Sequence, residues 1–309
     1  LQGPQANTTR LTQIGMLSHT EGWAIGTYQP NAECTNTLFL RYTGGRWTQV
    51  DTISGAALTS VALTSPTNGW AVGTHASTCS LGPTSPVLLY HYDGTTWTPA
   101  AVPPETSALG KVVMISATDG WAIGTRQSIG SNGSYSLLLH YDGKTWTEVS
   151  VPGINESAVG IAMASATDGW LATSILPDPT AATPTHLHLY QYDGKQWSKV
   201  STPLDTLPPT FPGATLSLAP SGDGWLITSE EQSNIIREPL YLQLTGDTWS
   251  HVDGPAGIFG RIFPLSANDA WAVGLAGNES GDGSSLVAAI MHYHNGTWER
   301  VPLTSSSTP

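Results

Sequence analysis

Residues 111–149 read KVVMISATDGWAIGTRQSIGSNGSYSLLLHYDGKTWTEV. A short apolar run, KVVMI, meets the turn SATDG. WAIGT follows, then a long polar stretch, then YSLLLHY, the turn DGKT and WTEV. Short β-prone runs separated by Gly, Asp and Ser clusters predict four strands joined by turns. The unit recurs: EGWAIGT begins at 21, NGWAVGT at 68, DGWAIGT at 119, DGWLATS at 168, DGWLITS at 223 and DAWAVGL at 269. Each copy is followed 24 to 27 residues later by a second Trp, at Trp47, Trp97, Trp146, Trp197, Trp249 and Trp298, which accounts for all 12 Trp. A period of about 50 residues is that of propeller blades rather than of helical solenoids.

The expected fold is therefore all-β: a six-bladed β-propeller with four antiparallel strands per blade. It would span residues 10–303, with 1–9 as an N-terminal leader or linker and 304–309 as a flexible tail. The first copy begins with its innermost strand and the sixth ends with its outermost. Ring closure between blades one and six is thus expected to be non-covalent, since Pro4 disfavours an added strand. Trp on the second and fourth strands would fill the widening wedge between neighbouring blades. On the fourth strand a residue three positions after the Trp (Val50, Ala100, Val149, Val200, Val252, Val301) would make the opposite face apolar as well.

Composition agrees with this and narrows function. Among 309 residues there are 33 Gly and 22 Pro, spread too evenly for long helices. No run approaches the roughly 18 apolar residues that a membrane span requires, so membrane insertion by this segment is not expected. Eleven Lys and Arg against 23 Asp and Glu give a net charge of −12, which repels phosphate backbones and makes nucleic acid an unsuitable partner. Cys34 and Cys79 fall in corresponding loops of the first two copies, where a disulfide would staple adjacent blades in an oxidising compartment.

Connections between first and second strands (SHTEG, SPTNG, SATDG) and between third and fourth (DGTT, DGKT, DGKQ) are short and repetitive, as structural turns are. Those between second and third strands are long and dissimilar, and variable loops on a rigid frame are where specificity is usually carried. The innermost strands start at that same end. Ten residues before each first Trp stand Gln13, Ser60, Lys111, Gly160, Thr215 and Arg261, a ring at the expected channel mouth. Lys111 and Arg261 are candidates to receive a carboxylate or acidic sugar; the alternative is that both are solvated or paired with nearby acids. Two i, i+2 pairs, His186 with His188 and His292 with His294, share a strand face, yet no third ligand stands near them. His91, His140 and His292 all precede the repeated Tyr, which marks that position as architectural. Asn278, Glu279 and Asp282 lack the ordered spacing of a calcium loop. No metal or cofactor is expected. The rim acids Glu33, Asp178, Glu230, Glu231 and Asp282 show no spacing that singles out a catalytic pair. Five Asn-x-Ser/Thr sequons, at Asn7, Asn132, Asn155, Asn278 and Asn295, are candidate glycosylation sites.

The WAVG strand followed by HYDGTTW resembles the repeats of bacterial BNR and photosystem-assembly-factor-type propellers. The Tyr-to-Trp spacing of five is similar to that of kelch repeats. The resemblance covers about residues 11–302 and implies the propeller fold. It differs in two respects: the DGxTW turn is one residue shorter than a full Asp-box, and the Gly-Gly doublet of kelch strands is missing. Propellers serve many functions. The expectation drawn from the residues is an extracellular or cell-surface binding module, its signal or anchor removed, that takes a glycan or protein on the long-loop face. The alternatives are a self-associating structural subunit of an extracellular assembly and a carbohydrate-active enzyme. No catalytic residue is assigned.

Overall fold

The computed structural model describes residues 10–31, 34–75, 87–127, 134–150, 156–175, 186–207, 213–229, 239–255, 257–277 and 286–302. The molecule is all-β, with six blades of four antiparallel strands. The first blade holds β1 (Arg10–Met16), β2 (Glu21–Asn31), β3 (Cys34–Thr43) and β4 (Arg46–Ile53). The second holds β5 (Ala56–Ser65), β6 (Asn68–His75), β7 (Val87–Tyr92) and β8 (Trp97–Pro99); the third holds β9 (Thr106–Ser116), β10 (Asp119–Gln127), β11 (Ser134–Tyr141) and β12 (Trp146–Val149). The fourth holds β13 (Glu156–Ser165), β14 (Asp168–Ile175), β15 (Leu187–Tyr192) and β16 (Trp197–Val200); the fifth holds β17 (Thr215–Leu218), β18 (Gly224–Ser229), β19 (Pro239–Thr245) and β20 (Thr248–Val252). The sixth holds β21 (Ile258–Ser266), β22 (Asp269–Gly277), β23 (Leu286–His294) and β24 (Thr297–Val301). Strand order within every blade follows chain order. The chain forms two compact units, Leu1–Val151 and Pro152–Pro309, with three blades in each.

Within each unit the first Trp of one blade packs on the aromatic pair of the next. Trp23 meets Tyr92 and Trp97 edge-on at 4.9 and 5.8 Å, and Trp70 meets Tyr141 and Trp146 at 4.9 and 5.4 Å. In the second unit Trp170 meets Trp249 at 5.3 Å, and Trp225 meets Tyr293 and Trp298 at 5.1 and 5.4 Å. Trp23, Trp170 and Trp225 are each only 1% exposed. Edge-to-face pairs of this kind add about 0.5–1.5 kcal/mol each beyond the area they bury. The wedge-filling role expected of Trp is thus realised by a Tyr and two Trp at three of these joints, and by two Trp at the joint of the fourth and fifth blades, where Leu244 pairs with Trp249.

Two features depart from expectation. The residue three positions after the fourth-strand Trp is incompletely covered, and Val50 is 47% exposed. Val200 and Val252 are partly covered by packing against the core clusters of the second unit. Between the fourth and fifth blades a 3-10 turn, Pro203–Asp205, buries Leu204. It is capped by Thr202 N–H donating to Asp205 Oδ2 at 2.8 Å, the reciprocal capping that Thr-x-x-Asp provides.

Candidate functional site

Five of the six first strands carry a β-bulge at one repeat position, at Thr12, Thr59, Gly110, Val159 and Gly260. Pairing resumes at Gln13, Ser60, Lys111, Gly160 and Arg261, so the expected ring residues are the ones that each bulge re-aims. Two of them serve the frame. Gln13 Nε2 donates to Val61 O at 3.0 Å while Val61 N–H donates to Gln13 Oε1 at 2.8 Å. Ser60 Oγ likewise accepts from Val112 N–H at 3.2 Å and donates to Val112 O at 3.4 Å. Each side chain ties its strand to the first strand of the next blade. Lys111 and Thr215 are half-buried and Arg261 is exposed.

The short-turn end is also architecture. Asp93 Oδ1 accepts from Thr95 N–H, Thr95 Oγ1 and Thr96 N–H at 2.8, 2.7 and 2.9 Å, an Asx turn repeated at Asp142 and Asp193. These donors hold Asp93 down to about 2, and hold Asp142 and Asp193 below the usual carboxylate range. Gly94 has φ +100°, and a Cβ there would lie 2.8 Å from Thr67 Cβ, so glycine is required twice over.

The repeated His lies against its own blade's first Trp and bonds the residue two before that Trp, an Asn in the second blade and an Asp in the third and sixth. His140 lies 4.4 Å from Trp121 and 2.9 Å from Asp119; His292 lies 4.3 Å from Trp271 and 2.9 Å from Asp269. In the first blade Arg41 takes the place of His, over Trp23 and paired with Glu21. His294 continues the stack, 5.9 Å from His292. Among the described residues no group of three or more His, Cys, Asp or Glu is arranged to hold a metal.

One polar cluster belongs to neither pattern. In the fourth blade Glu156 opens β13, paired with Ile175 at the end of β14; Thr173 on β14 pairs with His188 on β15. Their side chains share one face at the end from which the long connections depart. Glu156 Oε1 lies 2.8 Å from His188 Nδ1, and Oε2 accepts from Thr173 Oγ1 and, at 3.1 Å, from Tyr190 Oη. A carboxylate only accepts, so Nδ1 carries the proton and Nε2 is left as an acceptor in the neutral imidazole. Among the described residues His188 Nε2 has no hydrogen-bond partner. Glu156 is 8% exposed and His188 16%. Burial, with the adjacent Glu156, raises the Tyr190 phenol to about 12. His186 stands two residues earlier, half-buried.

Aligning the six copies shows what is peculiar here. Fourteen residues before the first Trp stand Thr9, Ala56, Ser107, Glu156, Phe211 and Gly257; nine before the second stand Leu38, Leu88, Leu137, His188, Leu240 and Ala289. Three after the first Trp, four copies have glycine and the fourth and fifth have Thr173 and Thr228. At Gly73, Gly124 and Gly274 a Cβ would collide with the first strand's backbone. Twelve before the first Trp, where Leu58, Leu109 and Phe259 fill the core, the fourth copy has Ala158. The small Ala158 and the hydroxyl of Thr173 make room for a carboxylate and satisfy it. The fifth blade shares the Thr, which closes on Gly213 O at 2.9 Å, but has neither acid nor imidazole.

Of the other expected sites, Asn295 is exposed in the β23–β24 turn with φ +48°. Asn7, Asn132, Asn155, Asn278, the Cys79 loop and the Cys34 side chain lie outside the described residues, as do Glu33, Asp178, Glu230, Glu231, Glu279 and Asp282.

No protein-family model matches the chain, and no curated protein matches it. Solved structures do. The chain is similar to the GH74 enzyme of Niastella koreensis at 14% identity and a TM-score of 0.56, over 92% of this chain and 52% of that one. It is similar to an acylaminoacyl peptidase of Pyrococcus horikoshii at 7% identity and 0.57, over 97% and 53%. TolB from Acinetobacter baumannii gives 11% identity and 0.51, over 89% and 61%. The chain thus spans between 52% and 61% of the length of these three proteins. At such identities the likeness is one of fold alone.

Proposed function

We propose that this chain is an extracellular or cell-surface propeller of kelch-like or BNR-like repeat type that binds a glycan or protein on its long-loop end. The observation that carries this reading is the Glu156, Thr173, His188 and Tyr190 cluster. It is a costly departure from an otherwise regular repeat, and it sits at the long-loop end of one blade. Taking a carboxylate out of water costs several kcal/mol, and even a fully paired buried set is seldom more stable than the apolar residues it replaces. Other blades form with Ala, Gly and Leu at the same positions, so folding does not call for the cluster. The low charge and the sequons support export, and a Cys34–Cys79 bridge would require an oxidising compartment. A panel of glycans, polysaccharides and surface proteins, scored for both retention and cleavage, tests the reading. Retention that disappears when the 176–185 sequence is replaced by a Gly-Ser linker supports it. Retention that survives replacement of every long connection overturns it, and cleavage of a retained polysaccharide turns it toward the enzyme alternative.

A further inference from the structure

We infer that His188 is the ligand-contacting group of this end, and that it takes a hydroxyl of a neutral carbohydrate; the inference rests on the binding-module reading above. Glu156 accepts Nδ1–H, so in the neutral imidazole Nε2 presents a lone pair. A lone pair accepts a proton donor and repels a carboxylate or phosphate oxygen, which has none to give. Net charge of −12 disfavours anionic ligands further. Thr173 and Tyr190 direct their hydroxyl protons to Glu156, and the imidazole is the more exposed partner of the His–Glu pair, 16% against 8%. All 12 Trp belong to the blade repeat, so no Trp stands on the long connections. The connection next to the cluster, 176–185, reads LPDPTAATPT, with one charged residue and three Thr hydroxyls, which suits a neutral, hydroxyl-bearing ligand.

The full chain is tested on immobilised neutral polysaccharides (glucans, mannans, arabinans, xylans), with polyuronates and peptides alongside. Three variants accompany the wild type: His188→Leu; the triple change Glu156→Ala, Thr173→Gly, His188→Leu, which puts the second blade's residues at those three positions; and His140→Leu as a control in the third blade. The expected result is retention of a neutral glycan by the wild type and the control, and a loss of at least tenfold in both His188 variants. The triple variant keeps the loss interpretable, because it leaves no buried acid without partners. A glycan retained equally by the triple variant overturns the role of His188 and leaves the binding-module reading intact. Retention of polyuronates or peptides alone overturns the ligand class. No retention by the wild type on any ligand removes the binding-module reading and this inference with it.

Discussion

Glu156 and His188 meet at 2.8 Å across the first and third strands of the fourth blade, and neither residue type recurs at its position in another copy. An outwardly similar contact, His140 with Asp119 at 2.9 Å, does recur, as His292 with Asp269. The repeated pair lies over a Trp and belongs to the frame. The unrepeated pair is more deeply buried, has two further hydroxyl partners, and stands where the chain turns toward its long connections.

Removing one member of the cluster leaves the others stranded. His188→Leu alone takes a donor from a buried carboxylate, and breaking such a pair costs about 3–5 kcal/mol. Urea unfolding of this variant should show that loss, and Glu156→Ala in the same background should recover most of it. A purely additive double variant would mean that the two residues do not interact.

Tyr190 should be one of two late tyrosines, the other being Tyr241. Its phenol is raised to about 12 by burial and by Glu156, against the ordinary value of 10. A neutral form favoured by the fold contributes stability that is complete below pH 10 and is lost as the pH rises through 12. Ultraviolet titration should show two tyrosinate signals in that upper range, Tyr190 and the buried Tyr241, one of which is absent from Tyr190→Phe and moved downward in Glu156→Gln. An unmoved Tyr190 signal in Glu156→Gln would assign the shift to burial alone.

The Asx turns set the acid limit. Asp93 is held down to about 2 by hydrogen bonds to its ionised form. A depressed carboxylate contributes stability that is complete above pH 4 and is lost as the pH falls toward 2. Asp93→Asn should therefore flatten the acid limb of a stability curve between those values. An unchanged limb would assign acid sensitivity to other groups.

The aromatic joints should dominate stability within each unit. Trp23→Ala empties a site that is 1% exposed and should cost about 3–5 kcal/mol. Trp225→Phe should cost much less, because the Trp225 indole N–H makes no hydrogen bond among the described residues and only volume is lost. Gln13→Ala removes two bonds to Val61 and should cost about 1–3 kcal/mol without affecting ligand retention. Retention lost in Gln13→Ala would return that residue to the binding surface.

Most of the fold was legible because Trp is rare and each blade spends two of them at fixed positions. The Asp-Gly turns were legible for the same reason, since positive φ and side-chain capping demand particular residues. Thr202 and Asp205 also spelled out their turn, though Pro203 and a short span hid it among loops. The cluster was harder to see. Glu156 and His188 are 32 residues apart and only strand register brings them together, while attention to charge led to Lys111 and Arg261 and attention to histidine led to metal pairs. Comparing the copies column by column exposes the cluster, because Glu156, Thr173 and His188 are polar in columns that are mostly small or apolar.

The central claim is that the fold has no need of this cluster. Chemical denaturation of the variant carrying Glu156→Ala, Ala158→Leu, Thr173→Gly and His188→Leu, which takes the residues found at Ala56, Leu58, Gly73 and Leu88 of the second blade, tests it most directly. The account predicts a stability equal to or above that of the wild type, since a buried ionic set gives way to the residues that other blades use. A loss of more than about 2 kcal/mol, the range in which a mutation ranks as clearly disruptive, would contradict it and make the cluster part of the frame.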